Sequence, residues 1–116
     1  MAEERDVTDL ERWRARIDVI DGQLMRLLNS RSACAVEIGR VKRRLGLPVY
    51  SPEREAAVLE RVARENPGPL DATAIRRVFE RVIDESRRLE RLAAEGTEPE
   101  TDTEDKRTSG LADEAG

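Results

Sequence analysis

A long apolar stripe with helical spacing is the feature that most constrains how this chain can fold. Apolar side chains recur at steps of three and four residues, which is the spacing of one face of an α-helix. The members are Leu10, Trp13, Ile17, Ile20, Leu24, Leu27, Cys34, Ile38, Val41 and Leu45. The step between Leu27 and Cys34 falls on Arg31, so a cation interrupts the stripe.

The stripe predicts one unusually long first helix. We expect it to run from about Thr8 or Asp9 to Leu45, with Asp9 as N-cap and Gly46 as the stop signal. Such a helix would be roughly 50 Å long at ~1.5 Å per residue, which is uncommon in a small globular domain.

Two shorter helices are predicted downstream. A loop, GLPVYSPERE, leads to a second helix over 52–65, for which Ser51 is a natural N-cap and Pro52 suits the first turn. A third helix is predicted from near Asp71 to about Glu95. Its stripe consists of Ile75, Val78, Phe79, Val82, Ile83, Leu89, Leu92 and Ala93. No strand pattern is visible, so the predicted class is all-α with three helices per chain.

The composition favours helices that bury their stripes against a partner chain. Charged residues make up 40 % of the 116 residues and aromatic residues only 3 %, which is poor material for a single-chain core. No histidine is present, which excludes Ser-His and Cys-His nucleophile pairs and most zinc sites. Cys34 is the only cysteine, so an intramolecular disulfide is impossible, and its apolar helix position predicts a buried thiol.

The net charge of −4 is concentrated at one end of the chain. Residues 96–116 carry seven acidic and two basic groups, and we expect a disordered acidic tail there. The predicted organisation is an N-terminal extension at 1–7, one domain at 8–95, and this tail. The near-neutral domain argues against nucleic acid. The chain has no apolar run for a secretory signal or a bilayer span, so we expect a cytoplasmic protein without a membrane partner.

Polar residues within the predicted apolar stripes indicate either a ligand site or buried ion pairs. Arg31 interrupts the first stripe, and Ser86 and Glu90 interrupt the third. A lone arginine on a stripe can extend its head group to water. Several complementary interruptions favour a polar site between helices, although a structural ion pair between Arg31 and Glu90 would give the same pattern.

Helix geometry separates the cations of the first helix into two groups. Arg31 and Lys42 are 11 residues apart, so they point within roughly 20° of each other and lie about 16 Å apart. Arg14 precedes Lys42 by 28 residues, about 42 Å along the same helix. If Arg14 serves the same ligand, a second subunit must supply it, as in an antiparallel two-fold pairing of long helices.

With these positions in place, the sequence closely resembles the all-helical chorismate mutases of the AroQ class. The resemblance covers about residues 8–93 and is carried by four segments in order: RARIDVIDGQLMRLLNSR, AVEIGRVK, LPVYSPERE and VFERVIDESRRLE. It implies an intertwined homodimeric helical bundle with two active sites, each lined by both chains. It also implies conversion of chorismate to prephenate without metal or cofactor.

The resemblance implies a role for each cation of the site. Arg14 of the partner chain and Arg31 would clamp the two carboxylates of chorismate. Lys42 would hold one carboxylate and the ether oxygen, and it counts with Arg31 and Glu90 as a catalytic candidate. Arg54 would join the substrate-binding set, although SPERE is a helix start in which this residue can equally be an ordinary surface charge.

The resemblance assigns the remaining polar residues to the substrate as well. Glu55 would accept from the ring hydroxyl, with a helix-dipole role in the first turn as the alternative. Ser86 would contact the ring carboxylate or a nearby polar group, and Glu90 would donate to the ether oxygen. Two positions depart from the best-known bacterial enzymes. Ser51, which joins the predicted substrate-binding set, stands where aspartate is common. Glu90 stands where glutamine is common, although fungal relatives have glutamate there.

The chemistry implied by the resemblance suits these residue types. A Claisen rearrangement needs a held conformer and stabilisation of charge on the breaking C–O bond, which arginine forks and a lysine donor can supply. Three alternatives stay open: an isochorismate pyruvate lyase, a 4-amino-4-deoxychorismate mutase, and a non-catalytic helical dimerisation module. An association with the synthase that opens the aromatic pathway is also open.

Overall fold

The computed structural model describes residues 1–97, and this range contains three α-helices and no strand. The helices are α1 (Ala2–Leu45), α2 (Pro52–Glu65) and α3 (Ala72–Ala94). The predicted all-α class with three helices is therefore confirmed. No helix within residues 1–97 is long and apolar enough to cross a membrane. The tail predicted to be disordered lies, from residue 98 onward, outside the described residues.

The first helix begins earlier than the sequence predicted. It starts at Ala2, so the expected start at Thr8 or Asp9 was wrong, and Asp9 lies inside the helix. The segment before Asp9 has no glycine or proline to stop it. Glu3 and Glu4 lie in the first turn, where carboxylates favour the positive end of the helix dipole. The Thr8 hydroxyl donates to the Glu4 carbonyl over 2.9 Å, a bond that helical backbone permits.

The chain divides into two units, residues 1–30 and the residues from Arg31 onward. Residues 2–30 are helical throughout, and none of residues 1–30 is buried. The apolar stripe of this unit faces solvent, with Trp13 60 % and Leu27 68 % exposed. A stripe of this length needs a surface to cover it, and none of residues 1–30 provides one.

The second unit packs the end of α1, α2 and α3 around a small core. Helices α2 and α3 lie against each other, and Val58 of α2 and Ile83 of α3 are buried. Ala35 of α1 and Ala93 of α3 complete the buried apolar set. A Cβ atom at Gly39 would clash with backbone atoms of Glu90 and would come within 2.8 Å of Ala93 Cβ, so only glycine permits this approach of α1 to α3.

The face of α1 that packs on α3 is not the apolar stripe. Cys34 is exposed, so the predicted buried thiol was wrong, and Ile38 is 46 % exposed. The buried positions are Ala35 and Gly39, one residue further along the helix. Small side chains allow two helix backbones to approach closely, whereas the larger side chains of the stripe would hold them apart. The apolar stripe is therefore left for another surface.

A Schellman motif ends α1 beside the candidate site. Gly46 takes a left-handed φ of +67°, which glycine adopts without steric cost. The Leu47 N–H donates to the Lys42 carbonyl over 2.9 Å, and the Gly46 N–H donates to the Arg43 carbonyl over 3.3 Å. The predicted stop at Gly46 is confirmed, and the motif turns the chain back just beyond Lys42.

Helices α2 and α3 begin where the sequence predicted, with one difference at the N-cap of α2. Ser51 is the N-cap of α2 and Pro52 lies in its first turn, but the Ser51 side chain makes no capping hydrogen bond. Its backbone carbonyl accepts from the Glu55 N–H over 3.1 Å. Asp71 caps α3 with its side chain, which accepts from the Ala74 N–H over 2.7 Å.

Candidate active site

Two cations lie at the ends of the α1 face that packs on α3. Arg31, Ala35, Gly39 and Lys42 follow one another at steps of four, four and three residues, which places them on one side of the helix. The small residues at the middle positions bring the backbone of α1 close to α3. The longer side chains of Arg31 and Lys42 can therefore reach polar groups of α3.

Lys42 is held between two acceptors. Its Nζ donates to Glu90 Oε1 over 2.7 Å and to the Val49 carbonyl over 2.6 Å. The Lys42 and Glu90 side chains are 17 % and 16 % exposed, so the pair is largely shielded from water. An ammonium group has three N–H donors, and the third has no partner among residues 1–97. It remains available to a ligand.

Arg31 reaches the one buried polar side chain of the described core. Its Nη1 donates to Ser86 Oγ, and Ser86 is buried on α3. A guanidinium has five N–H donors in a planar fork, and Ser86 uses only one of them. Within residues 1–97 Glu90 pairs with Lys42 and not with Arg31, so the structural Arg31–Glu90 ion pair considered from the sequence is not formed.

A second ion pair joins α2 to α3. Arg87 Nε and Nη2 donate to the two carboxylate oxygens of Glu55, each over 2.8 Å, in a bidentate arrangement. The hydrogen bonds from Arg87 are the main cause that lowers the pKa of Glu55; partial burial opposes them, and the charges of Arg87 and Lys42 reinforce them. The same pair raises the pKa of Arg87. Glu55 is therefore an acceptor-only carboxylate at neutral pH.

Three predicted site residues are not drawn into these contacts. Ser51 is half-buried and Arg54 is exposed, and neither side chain has a hydrogen bond or ion pair within residues 1–97. Arg14 belongs to the 1–30 unit and has no such contact in the described chain either. The structure thus joins Lys42 with Glu90 and leaves the substrate roles of Ser51, Arg54 and Arg14 as predictions.

The sequence analysis missed two groups that take part in these contacts. Arg87 lies four residues after Ile83 and three before Glu90, so helical spacing alone places it on the same side of α3. That spacing could have identified it. The Val49 carbonyl carried no signal in the sequence, because any residue at this loop position offers the same acceptor.

The arrangement suits a ligand that carries negative charge. Lys42 and Arg31 keep N–H donors without protein partners among the described residues, and donors of this kind bind carboxylates strongly when water is excluded. Within residues 1–97, no three acidic or thiol side chains are grouped as a metal ion would require.

Comparison with known proteins gives a consistent family. A family model described as chorismate mutase type II matches residues 13–91. The chain is 39 % identical to the bifunctional chorismate mutase/prephenate dehydratase of Pseudomonas aeruginosa, over 79 % of this chain and 28 % of that protein. It is 34 % identical to the 4-amino-4-deoxychorismate mutase of Streptomyces venezuelae, over 72 % of this chain and 82 % of that protein.

A solved structure extends the comparison to the fold. The chorismate mutase (form II) of Thermus thermophilus matches with a TM-score of 0.69 and 37 % identity, covering 70 % of this chain and 92 % of that chain. By contrast, the chain spans less than a third of the length of the bifunctional relatives that it matches.

Proposed function

The chain belongs to the chorismate mutase type II family, and from this premise we propose that it converts chorismate to prephenate by an intramolecular Claisen rearrangement. The main support for the proposal is the environment of the Lys42 ammonium group. Its ammonium group is fixed by Glu90 and Val49, is largely buried, and keeps one N–H without a partner among residues 1–97.

The proposed reaction needs placement and charge stabilisation. The bond between the ether oxygen and the ring carbon breaks while a C–C bond forms between the enolpyruvyl methylene and the ring, and no net proton moves. Negative charge grows on the ether oxygen as its bond to the ring breaks. A fixed donor aimed at this oxygen stabilises the transition state more than the ground state. Lys42 is the donor that we assign to it.

Glu90 acts with Lys42 at the same oxygen in this proposal. Its carboxylate accepts from Lys42 and so orients the ammonium group. A carboxyl group donates a hydrogen bond only in its protonated form. We therefore expect Glu90 to orient Lys42 as a carboxylate and to donate to the ether oxygen as the neutral acid.

The arginines bind the two substrate carboxylates in this proposal. Arg31 keeps four of its five N–H donors after bonding to Ser86, which is enough for a bidentate contact with a carboxylate. Arg54, exposed at the start of α2, is free to turn toward a ligand. Arg14 would come from a second copy of the chain, because the 28-residue spacing predicts that a straight helix would place it about 42 Å from Lys42.

A homodimer is part of the proposal, and the exposed apolar stripe supports it. The stripe of residues 1–30 faces solvent, and so does its continuation at Ile38, Val41 and Leu45. Isolated monomers rarely leave so long an apolar stripe uncovered. A second copy presenting the same stripe across a two-fold axis would bury both.

One alternative substrate has a specific observation in its favour. The Streptomyces venezuelae relative is named 4-amino-4-deoxychorismate mutase, and it is aligned over most of its length. That substrate carries an amine in place of the ring hydroxyl. Glu55, which we assign to the ring substituent, could accept a hydrogen bond from either group. An isochorismate pyruvate lyase is the other reaction that the sequence left open.

The test is direct. Purified protein is incubated separately with chorismate, isochorismate and 4-amino-4-deoxychorismate, and the products are separated by liquid chromatography and identified by their NMR spectra. We expect prephenate from chorismate as the fastest reaction, and a loss of about a hundredfold or more in Lys42→Ala. No turnover of chorismate by the folded protein would refute the proposal. The cytoplasmic location and the synthase association considered from the sequence stay predictions.

A further inference from the structure

The Glu55–Arg87 pair is more ordered than an ordinary surface ion pair. Both carboxylate oxygens of Glu55 accept from one guanidinium, each over 2.8 Å. Arg87 is held from two further sides, by Asp84 Oδ1 at 3.2 Å from its Nη2 and by the Tyr50 ring, whose centroid is 5.5 Å from its Cζ. The fork geometry fixes the orientation of the carboxylate as well as its charge.

Glu55 retains acceptor capacity after this pairing. Each carboxylate oxygen has two lone pairs, and Arg87 uses one on each. The Glu55 side chain is 23 % exposed, so an approaching ligand can reach it. The ligand therefore meets a carboxylate whose charge is offset by Arg87, which exposed Asp84 shares, and by the Lys42 cation.

We propose that Arg87 is a positioning residue that sets the substrate specificity of the site, by holding Glu55 in an ion pair that favours a ring hydroxyl over a ring ammonium group. This inference rests on the proposed function, in which Glu55 faces the ring substituent. The substrate class it selects is the hydroxyl-bearing enolpyruvyl ether rather than its amino analogue.

The discrimination is electrostatic. A primary alkyl amine is protonated at neutral pH, so the amino analogue presents a cation to Glu55. An unpaired carboxylate would attract that cation, but the Arg87 and Lys42 charges repel it and offset the attraction. A neutral hydroxyl donates to the same oxygen without this repulsion. Removing Arg87 should therefore help the amine far more than the alcohol.

The experiment compares the two substrates on the same preparation. The ratio of kcat/KM for chorismate to kcat/KM for 4-amino-4-deoxychorismate is measured for wild type, Arg87→Leu and Arg88→Leu. We expect Arg87→Leu to shift the ratio toward the amine by about tenfold or more. Arg88 pairs with Glu85 on the same helix, so Arg88→Leu is the matched control and should stay within about twofold of wild type. The ratio is independent of the fraction of folded protein.

Two further variants test whether Arg87 acts through Glu55. Arg87→Lys keeps the positive charge and should keep the ratio within about threefold of wild type. In a Glu55→Gln background, adding Arg87→Leu should shift the ratio less than in wild type, because the carboxylate no longer holds Arg87 beside the ligand.

The outcomes separate this inference from the proposed function. An unchanged ratio in Arg87→Leu, or the same shift with and without Glu55, would overturn the role of Arg87 even when wild type converts chorismate. If wild type converts neither substrate, the proposed function itself fails. If Arg87→Leu does not fold, Arg87→Gln, which also removes the charge, replaces it: a shift of the ratio toward the amine supports the role, and an unchanged ratio would overturn it.

Discussion

The Lys42 ammonium group donates to the Glu90 carboxylate over 2.7 Å, and the two side chains lie on different helices that Gly39 brings together. The sequence had assigned Glu90 as a donor to the ether oxygen, whereas here it accepts. The two roles belong to two protonation states of one group. The carboxylate orients Lys42, and the neutral acid can donate to a ligand oxygen. Catalysis should therefore depend on whether the side chain at position 90 can donate a hydrogen bond.

The variant Glu90→Gln tests this dependence. A carboxylate at position 90 places negative charge beside an oxygen that is becoming negative, which opposes the reaction. The amide of Glu90→Gln has an N–H that can donate to this oxygen, so we expect this variant to keep at least the wild-type kcat/KM. Glu90→Ala should lose about a hundredfold in rate. The measurement is kcat/KM of the three proteins at one pH. A loss in Glu90→Gln as large as that in Glu90→Ala would mean that the carboxylate itself is required.

Gly39→Ala should disturb the contact between Lys42 and Glu90 by moving the backbones of α1 and α3 apart. A Cβ atom there would lie 2.9 Å from Glu90 Cα and 2.8 Å from Ala93 Cβ, so α1 and α3 must separate. We expect a loss of about 1–3 kcal/mol in the free energy of unfolding and a lower kcat. Urea unfolding at one protein concentration measures the first effect.

A second glycine of α1 provides the control for Gly39→Ala. Gly22 has only Arg26 Nη1, at 3.7 Å, near its ideal Cβ position. Gly22→Ala should therefore raise the free energy of unfolding by about 0.5–1 kcal/mol through helix propensity alone. If both alanine variants unfold at the same urea concentration, the close approach at Gly39 is not a constraint on the fold.

The Glu55–Arg87 pair should make the free energy of unfolding depend on pH in the acidic range. The pKa of Glu55 is lowered from 4.5 in the fold, so its contribution is fully present above that value and is lost as pH falls through the lower folded value. At pH 7 we expect wild type to exceed Glu55→Gln by about 1 kcal/mol in the free energy of unfolding. The difference should vanish as the medium becomes more acidic than the lowered pKa.

The control for this measurement is Glu53→Gln, which removes an exposed carboxylate from the same helix turn. Glu53 has no ion pair within residues 1–97, so its removal should change stability little at any pH. The free energy of unfolding of the three proteins is measured in urea at several pH values, from 7 down to the lowest pH at which the protein stays folded. A Glu55→Gln difference that persists unchanged in acid would contradict the ion-pair origin.

The association of two chains can be tested on the exposed stripe. Sedimentation equilibrium should give twice the 13.1 kDa chain mass for wild type. Ile20→Asp places a charge on the stripe and should shift the protein to monomer and lower its activity. Arg26→Asp, about 120° away around the same helix, should leave the dimer intact. A wild-type monomer with full activity at the assay concentration would rule out the homodimer.

Local signals predicted most of the fold. Gly46, Pro52 and Asp71 each mark a helix end whose geometry depends on a few neighbouring residues, and each was placed correctly. The start of α1 was missed because a capping residue such as Asp9 is also compatible with the helix interior when no glycine or proline precedes it.

The candidate site was predicted less completely, because its contacts join distant segments. Helical periodicity identified Arg31, Ser86 and Glu90 as polar groups within the apolar stripes, and the 11-residue spacing placed Lys42 on the same side of the helix as Arg31. It could not show that Glu55 pairs with Arg87, which depends on the register of α2 on α3. Cys34 was misplaced because the widest apolar stripe of α1 is not the face that α3 covers. Small residues that allow close packing give a weaker signal in the sequence than a stripe of large apolar residues.

Complementation of two inactive variants tests whether each site draws on both chains. Arg14→Ala and Arg31→Ala should each inactivate the homodimer if the two arginines bind the substrate. In a heterodimer of the two variants, one site would carry both lesions and the other neither, because Arg14 would cross to the partner while Arg31 stays with its own chain. Co-refolded chains with different affinity tags, purified through both tags, should recover about half of the wild-type activity per dimer. A purified heterodimer without activity would mean that Arg14 and Arg31 serve the site from the same chain, or that one of them acts elsewhere.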